Sequence, residues 1–193
     1  DATAVGDRIW VREALQSGYL PFSYNETDNS NDVTAEIYCS TDGLNYDNYD
    51  HILAPVGGQT YHCVAWNVQL GHIIIDKVTT PADAQSFDFD AVGGSYADFA
   101  IANASAPNDQ ALVPGVYTVT ELGEAGWTLT NLVCVDPTEN TTFSTVSGQA
   151  QINLAPGETV TCTYTNEHYT NLTAIKTNDA DGGEAFVGVP FDW

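Results

Sequence analysis

The sequence repeats itself, and this repeat limits the possible folds more than any other feature. Residues 9–19 read IWVREALQSGY and residues 117–127 read YTVTELGEAGW, so each has a strand-like run, a Glu, four further residues, a Gly and an aromatic residue. Two later segments, LAPVGGQTYHCVAWN ending at Asn67 and LAPGETVTCTYTN ending at Asn166, have a Cys four positions before the Asn and a Lys ten positions after it. Because two separate pairs of segments agree in their residue spacing, we predict tandem copies of one structural unit.

Short apolar runs separated by turn residues predict an all-β chain. Residues 72–171 contain one complete unit, with the runs HIIIDK, FDFD, YADFAIA, PGVYTVTE, a run around Cys134, and GETVTCTYTN. Gly and Pro turn signals divide these runs, and their spacing is typical of a small β-sandwich. We therefore predict tandem immunoglobulin-like sandwiches.

The two ends of the chain match complementary parts of one further unit. Residues 1–71 match only the later part of a unit, and residues 172–193 match only its opening strands, including the Lys. A sandwich without its first strands exposes apolar core and unpaired edges, and two strands alone are marginally stable. We predict an incomplete acceptor domain at 1–71, a complete domain at 72–171, and donor strands at 172–193.

Pairing of these ends between subunits fits better than pairing within one chain. The ten-residue step from Asn to Lys is the same at both junctions, which indicates end-to-end stacking, and a tail folding back would have to cross roughly 35 Å. Strand donation to the next copy is a head-to-tail contact that does not close, so it builds a filament of identical subunits. The alternative is an adhesin stalk module, or a fragment of a longer repeat protein whose third domain begins with the tail.

The charge of the chain excludes two classes of partner. Four basic and 26 acidic residues give a net charge of −22. This sign argues against binding to nucleic acid or to anionic membrane surfaces, because both require a basic footprint. A soluble, self-repelling surface explains the charge, as does a habitat rich in salt or divalent cations. No apolar stretch is long enough to span a membrane, and we expect a mature exported chain whose leader has been removed.

Ionisable residues follow the apolar rows of three predicted strands. Strand alternation places Lys77 at the end of the row in HIIIDK, Glu121 at the end of the row in YTVTE, and Glu13 at the end of the row in IWVRE. A buried Lys or Glu is rare unless it is paired. A Lys–Glu–Asn cluster in the core would meet that requirement.

With these features the unit resembles the collagen-adhesin B-type domains of bacterial surface proteins and pilins, which have a prealbumin-like fold. The shared features are the Lys strand, the Y-x-V-x-E strand with its Gly-aromatic turn, and the closing Thr-Asn. The resemblance covers residues 72–171 fully and both flanks in part. It implies an isopeptide bond between Lys77 and Asn166, with Glu121 as the catalyst.

The same resemblance, applied to the split unit, implies a bond between Lys176 and Asn67 with Glu13 as the catalyst. That bond would join two subunits if the tail is donated. The alternatives are a buried Lys–Glu salt bridge with a neighbouring Asn, and lysines that reach water from the strand ends. The chain has only two lysines and both occupy the matched position, which favours the bond.

The four cysteines occupy corresponding places in the two repeats, so we predict the pairs Cys39–Cys63 and Cys134–Cys162. None forms a CxxC pair, which argues against zinc, and two disulfides indicate an oxidising compartment. Four sequons fit an exported glycoprotein. They begin at Asn25, Asn103, Asn140 and Asn171.

The expected function is structural. The sequence shows no Ser/His/Asp order, phosphate loop or paired catalytic carboxylates, and its four histidines are dispersed. We expect no cofactor and no metal, because the acidic segment 178–184 lacks the spaced ligands of a calcium loop. The prediction is a subunit of an extracellular, cell-surface pilus or fibre, bound to copies of itself. A host ligand or surface glycan is left unidentified, and the segment 25–33 is a glycosylated surface loop or a ligand loop.

Overall fold

The computed structural model describes residues 2–5, 7–14, 16–21, 33–34, 37–44 and 51–169. All regular structure in these residues is β-strand. None of their segments is a helix of the length and hydropathy needed to cross a membrane. The all-β class predicted from the sequence is therefore confirmed.

The described residues form two compact units. Unit 1 contains the residues up to Ile73 together with 110–116 and 153–160, and unit 2 contains 74–109, 117–152 and 161–169. The predicted boundaries after residues 71 and 171 stay predictions. The segment 172–193, with Lys176 and the predicted donor strands, lies outside the described residues.

The N-terminal part of unit 1 consists of short strands in small sheets. Their order is β1-β2-β7, β3-β5, β4-β9 and β6-β8. Ile37, Cys39 and Ile52 form a buried core against which Ile9 and Val11 pack. The strands are β1 Ala2–Val5, β2 Arg8–Val11, β3 Glu13–Ala14, β4 Tyr19–Pro21, β5 Val33–Thr34, β6 Ile37–Ser40, β7 His51–Leu53, β8 His62–Ala65 and β9 Asn67–Gln69.

Nine further strands follow in two sheets. The four-stranded sheet has the order β13-β10-β18-β15, and the five-stranded sheet has the order β12-β11-β14-β17-β16. The strands are β10 Gly71–Thr80, β11 Ser86–Val92, β12 Phe99–Ala102, β13 Asn108–Leu112, β14 Gly115–Glu121, β15 Trp127–Val135, β16 Thr142–Ser144, β17 Gln149–Leu154 and β18 Thr159–His168.

The core of unit 2 lies between these sheets. The Phe89 ring on β11 meets the Tyr164 ring on β18 edge to face, with centroids 5.0 Å apart. Phe99 stacks on the other side of Phe89, also at 5.0 Å. The Tyr164 hydroxyl donates a hydrogen bond to the Val119 carbonyl oxygen on β14, at 3.1 Å. Aromatic packing and one buried hydrogen bond thus join the two faces of a sandwich.

Each unit contains one disulfide between residues that are direct neighbours on paired strands. Cys39 on β6 is bonded to Cys63 on β8, and Cys134 on β15 is bonded to Cys162 on β18. This is the pairing that the repeat predicts. Each bond closes a loop across two antiparallel strands and restricts the unfolded chain.

The structure differs from the sequence prediction in several strands. The run YADFAIA forms a strand only from Phe99, and β13, β16 and β17 were not expected. The run IWVRE is not one strand, because β2 pairs with β7 whereas β3 pairs with β5. Lys77 lies within β10 and not at its end, with Thr79 buried beyond it. The edge strands β12, β13 and β16 carry too few residues for a clear alternation.

We expect Phe89→Ala to lower the free energy of unfolding by about 3–5 kcal/mol, because it removes a fully buried ring from the centre of the core. The matched control, Phe143→Ala, removes a ring that is 45% exposed on β16 and should cost less than about 1 kcal/mol. Guanidinium unfolding under non-reducing conditions measures both. Equal losses would contradict this assignment of the core.

Candidate functional site

Three inward-facing side chains of unit 2 meet in its core. Lys77 comes from β10, Glu121 from the end of β14 and Asn166 from β18. Strand alternation turns each of them inward, since their neighbours at every second position are also buried. Lys77 and Asn166 are each 2% exposed, and the Glu121 side chain is 4% exposed. The predicted cluster of Lys, Glu and Asn is thus brought together.

The three side chains form a closed triangle of polar contacts. The Lys77 Nζ donates to Glu121 Oε2 at 2.9 Å and to Asn166 Oδ1 at 2.5 Å. The Asn166 Nδ2 donates to Glu121 Oε1 at 2.5 Å. One carboxyl group therefore contacts the amine through one oxygen and the amide nitrogen through the other.

An aromatic ring lies against the buried amine. The Phe87 ring centroid lies 4.1 Å from Lys77 Nζ, and the Trp127 ring packs edge-on against Phe87 at 5.5 Å. This apolar shell lowers the pKa of Lys77 through burial, although the hydrogen bond and the charge of Glu121 act in the opposite direction. The environment thus favours a neutral amine more than water does.

Gly148 holds the backbone of Glu121 in place. The Glu121 N–H donates to the Gly148 carbonyl oxygen at 2.9 Å. Gly148 has a φ of +63°, and a Cβ at this position would lie 3.2 Å from the Glu121 carbonyl oxygen. A side chain is disfavoured here by conformation and by space. Gly148 was not among the residues predicted from the sequence, and the Ser-Gly turn before the alternating run QAQINL was the available signal.

An open pocket of about 330 Å³ borders the site, with Glu121 and Asn166 in its wall. Trp127 and Leu129 line it from β15, and Glu124 lines it from the preceding turn. The site therefore borders an opening towards solvent, although the carboxyl and amide groups are almost fully buried.

A second Glu–Asn pair lies in unit 1. The Asn67 Nδ2 contacts both carboxylate oxygens of Glu13, each at 2.8 Å. In contrast with Asn166, Asn67 is exposed. The predicted partner of this pair, Lys176, lies outside the described residues.

Two of the predicted sequons can be placed. Asn140 is exposed in a turn whose backbone N–H groups, including its own, donate to the Asp136 carboxylate. Asn103 is half-buried, and its Oδ1 accepts a hydrogen bond from the Thr79 N–H at 2.9 Å. Asn25 and Asn171 lie outside the described residues. Glycosylation at all four positions stays a prediction.

We expect the Lys77 pKa to lie below 10.5 in an Asn166→Ala variant, which leaves the amine free to titrate. Adding Glu121→Gln should lower this pKa further, because both contributions of the carboxylate raise it. Between the lowered pKa and 10.5 the unfolded chain binds more protons, so the free energy of unfolding rises with pH in that window.

Side-chain ¹⁵N NMR measures this titration directly, since the chain has only two lysines and Lys77→Arg identifies the signal. A Lys77 pKa at or above 10.5 in the Asn166→Ala variant would contradict the effect of burial.

Comparison with known proteins identifies a family for the second half of the described chain. A family model described as a prealbumin-like fold domain, of the SpaA type, matches residues 73–168. No curated protein sequence matches the chain significantly.

Similar solved structures include a bacterial adhesin from Mobiluncus mulieris, described as containing intramolecular disulfide, isopeptide and ester bond cross-links. Its two crystal forms are 17% and 18% identical to this chain, with a TM-score of 0.42 each, and cover 64% and 67% of it. The major pilin of Streptococcus pyogenes is 12% identical, with a TM-score of 0.30 and 69% coverage.

The chain spans 54%, 55% and 58% of the length of these three structures. The family match itself contains the whole Lys77–Glu121–Asn166 site. Residues 73–168 therefore form a domain of the SpaA-type prealbumin-like family, as the sequence resemblance implied.

Proposed function

We propose that this chain is a structural subunit of an extracellular pilus or fibre, in which Lys77 and Asn166 become joined by an isopeptide bond. The observation that carries the proposal is the position of Glu121, whose two oxygens contact the amine and the amide nitrogen. The nucleophile, the acyl group and the proton carrier are already neighbours, which supplies the proximity term of the reaction.

The proposed reaction balances with these three side chains alone. Lys77 first gives its ammonium proton to Glu121, and the neutral Nζ attacks Asn166 Cγ. The Nζ–Cγ bond forms and the Cγ–Nδ2 bond breaks. Glu121 gives this proton to Nδ2 and takes a second proton from Nζ, so ammonia leaves and the carboxyl ends protonated. The step is a single self-modification and not turnover of an external substrate.

The competing interpretation is a permanent buried ion pair between Lys77 and Glu121, with Asn166 as a hydrogen-bond partner. Two observations favour the bond. Burial lowers the pKa of Lys77, which makes the nucleophile available. The bordering pocket offers ammonia a way out.

We expect each isopeptide bond to lower the intact mass of the reduced and alkylated chain by one ammonia. Lys77→Ala and Asn166→Ala should abolish the loss at this site, and Glu121→Gln should slow it by about 10²–10⁴-fold. Lys176→Ala is the matched control and should preserve the Lys77–Asn166 bond. Tryptic peptides identify the linked pair. A folded wild-type chain that has lost no ammonia would contradict the isopeptide bond and support the permanent ion pair between Lys77 and Glu121.

We further propose that subunits assemble head to tail by donation of residues 172–193 to the N-terminal domain of the next copy. The contact between Glu13 and Asn67 supports this, because it repeats the carboxyl-to-amide contact of the buried site. Asn67 is exposed, so an amine from another chain can reach it. Lys176, which follows Asn166 by ten residues as Lys77 follows Asn67, is the amine that we assign to this role.

Covalent assembly predicts a ladder of bands on a denaturing gel after boiling and reduction. We expect Lys176→Ala, Asn67→Ala and Glu13→Ala each to remove the ladder, while the ammonia loss at Lys77 persists. Lys77→Ala, in turn, should keep the ladder. A single monomer band from the wild-type chain would contradict covalent polymers and favour a stalk module or a non-covalent fibre.

A further inference from the structure

Strand β18 carries Asn166, and its own sequence specifies its register poorly. Threonine occupies every second position from Thr159 to Thr165. A slip by two residues would therefore present nearly the same outer face to solvent, and the register depends on the inward residues. The same slip would place Tyr164 at the position of Asn166. Asn166 would then no longer contact Lys77.

The partner strand β15 adds a second source of ambiguity. Its pairing with β18 shifts by one residue at Thr130, between the partners Leu129↔Asn166 and Asn131↔Thr165. This bulge changes which residues of β15 face inward, so that Leu129 and Trp127 line the pocket beside Asn166. The extra residue of a bulge is unpaired and interrupts the ladder, so the ladder alone fixes the register less firmly at this point.

Two contacts fix β18 on either side of Asn166. On one side, Cys134 and Cys162 are direct partners in the ladder and are covalently bonded. On the other side, the Trp127 ring packs edge-on against the His168 ring at 4.8 Å. Asn166 lies between these two contacts, opposite Leu129.

We propose that the Cys134–Cys162 disulfide is a positioning element for the cross-link: it holds β18 in the register that brings Asn166 to Lys77 and Glu121. This inference rests on the proposed isopeptide bond. Cys162 and Asn166 share the inward face of β18, four residues apart, so a register fixed at the cysteine is also fixed at the amide.

The disulfide also shortens the covalent path between the catalyst Glu121 and the amide of Asn166. Glu121 and Asn166 are 45 residues apart along the chain. Through the disulfide the path is 13 residues from Glu121 to Cys134 and four from Cys162 to Asn166. Encounter falls with about the −3/2 power of loop length, so the shorter path alone favours the meeting about fourfold.

The first repeat supports the same role. Cys63 precedes Asn67 by four residues, as Cys162 precedes Asn166, and it is bonded to its direct ladder partner Cys39. Each candidate cross-linking Asn therefore follows a disulfide cysteine by four residues, within β18 in the second repeat and from β8 to β9 in the first.

The test follows ammonia loss during refolding in a Lys176→Ala background, where only the Lys77–Asn166 bond can form. Chain recovered unfolded from inclusion bodies is diluted from guanidinium chloride into a glutathione redox buffer. Samples are quenched with acid and reduced, and their intact mass is measured by mass spectrometry. We expect Cys134→Ala with Cys162→Ala to slow the loss at least about fourfold. Cys39→Ala with Cys63→Ala is the matched control and should leave the rate unchanged.

The pH profile separates positioning from a loosened core. If the disulfide positions β18, the variant without Cys134 and Cys162 loses ammonia at a lower plateau rate. The midpoint of its rate–pH profile stays unchanged. A loosened core admits water to Lys77, which raises its pKa and moves the midpoint upward. An upward shift would overturn the proposal, and so would a rate equal to that of the background chain.

A relocated disulfide provides the rescue. Val133 and Thr163 are also direct ladder partners, so Val133→Cys with Thr163→Cys restores the staple on the outer face in the same register. We expect this change to restore the rate in the chain lacking Cys134 and Cys162. If the double alanine variant does not fold, this variant decides alone, and a folded rescue chain without the bond overturns the inference. No ammonia loss in the background chain itself would instead refute the proposed function.

Discussion

The amine of Lys77 lies against the Phe87 ring in the core of unit 2, and a charge at such a place is costly unless it is compensated. Glu121 and Asn166 provide the compensation. A residue next to Lys77 on β10 could not do so, because adjacent side chains of a strand point to opposite faces. Three strands must therefore meet at one point, with their alternation in phase. The requirement for a buried, paired lysine thus constrains the register of β10, the end of β14 and the register of β18 together.

Strand β18 takes part in the disulfide, in the aromatic core and in the polar triangle. Its inward face carries a disulfide cysteine, the tyrosine that bonds to Val119, and the amide of the polar triangle. Its outer face is a row of threonines with little individuality. The inward residues of β18 differ from one another, whereas its outward residues from Thr159 to Thr165 are all threonine. Covalent and aromatic contacts of the inward face are therefore needed to define the register of β18.

The sequence predicted the polar triangle and the disulfide pairing because both recur in a repeat. Two copies of Glu, Cys, Asn and Lys at matched spacing locate the residues without any knowledge of strand order. It did not predict the bulge at Thr130, the break at Arg12 or the contact of Gly148 with Glu121, since these depend on which strands pair. The strand β17 was missed although its buried residues alternate clearly.

Strands β10 and β18, which begin and end the sandwich formed by β10 to β18, are neighbours in one sheet. A mechanical pull applied to the chain before Lys77 and after Asn166 would act on the contact between these two strands first. With the proposed bond in place, tension would pass directly from one strand to the other. The segment 78–165 would then be slack, and the Cys134–Cys162 disulfide inside it would feel no force however hard the chain is stretched.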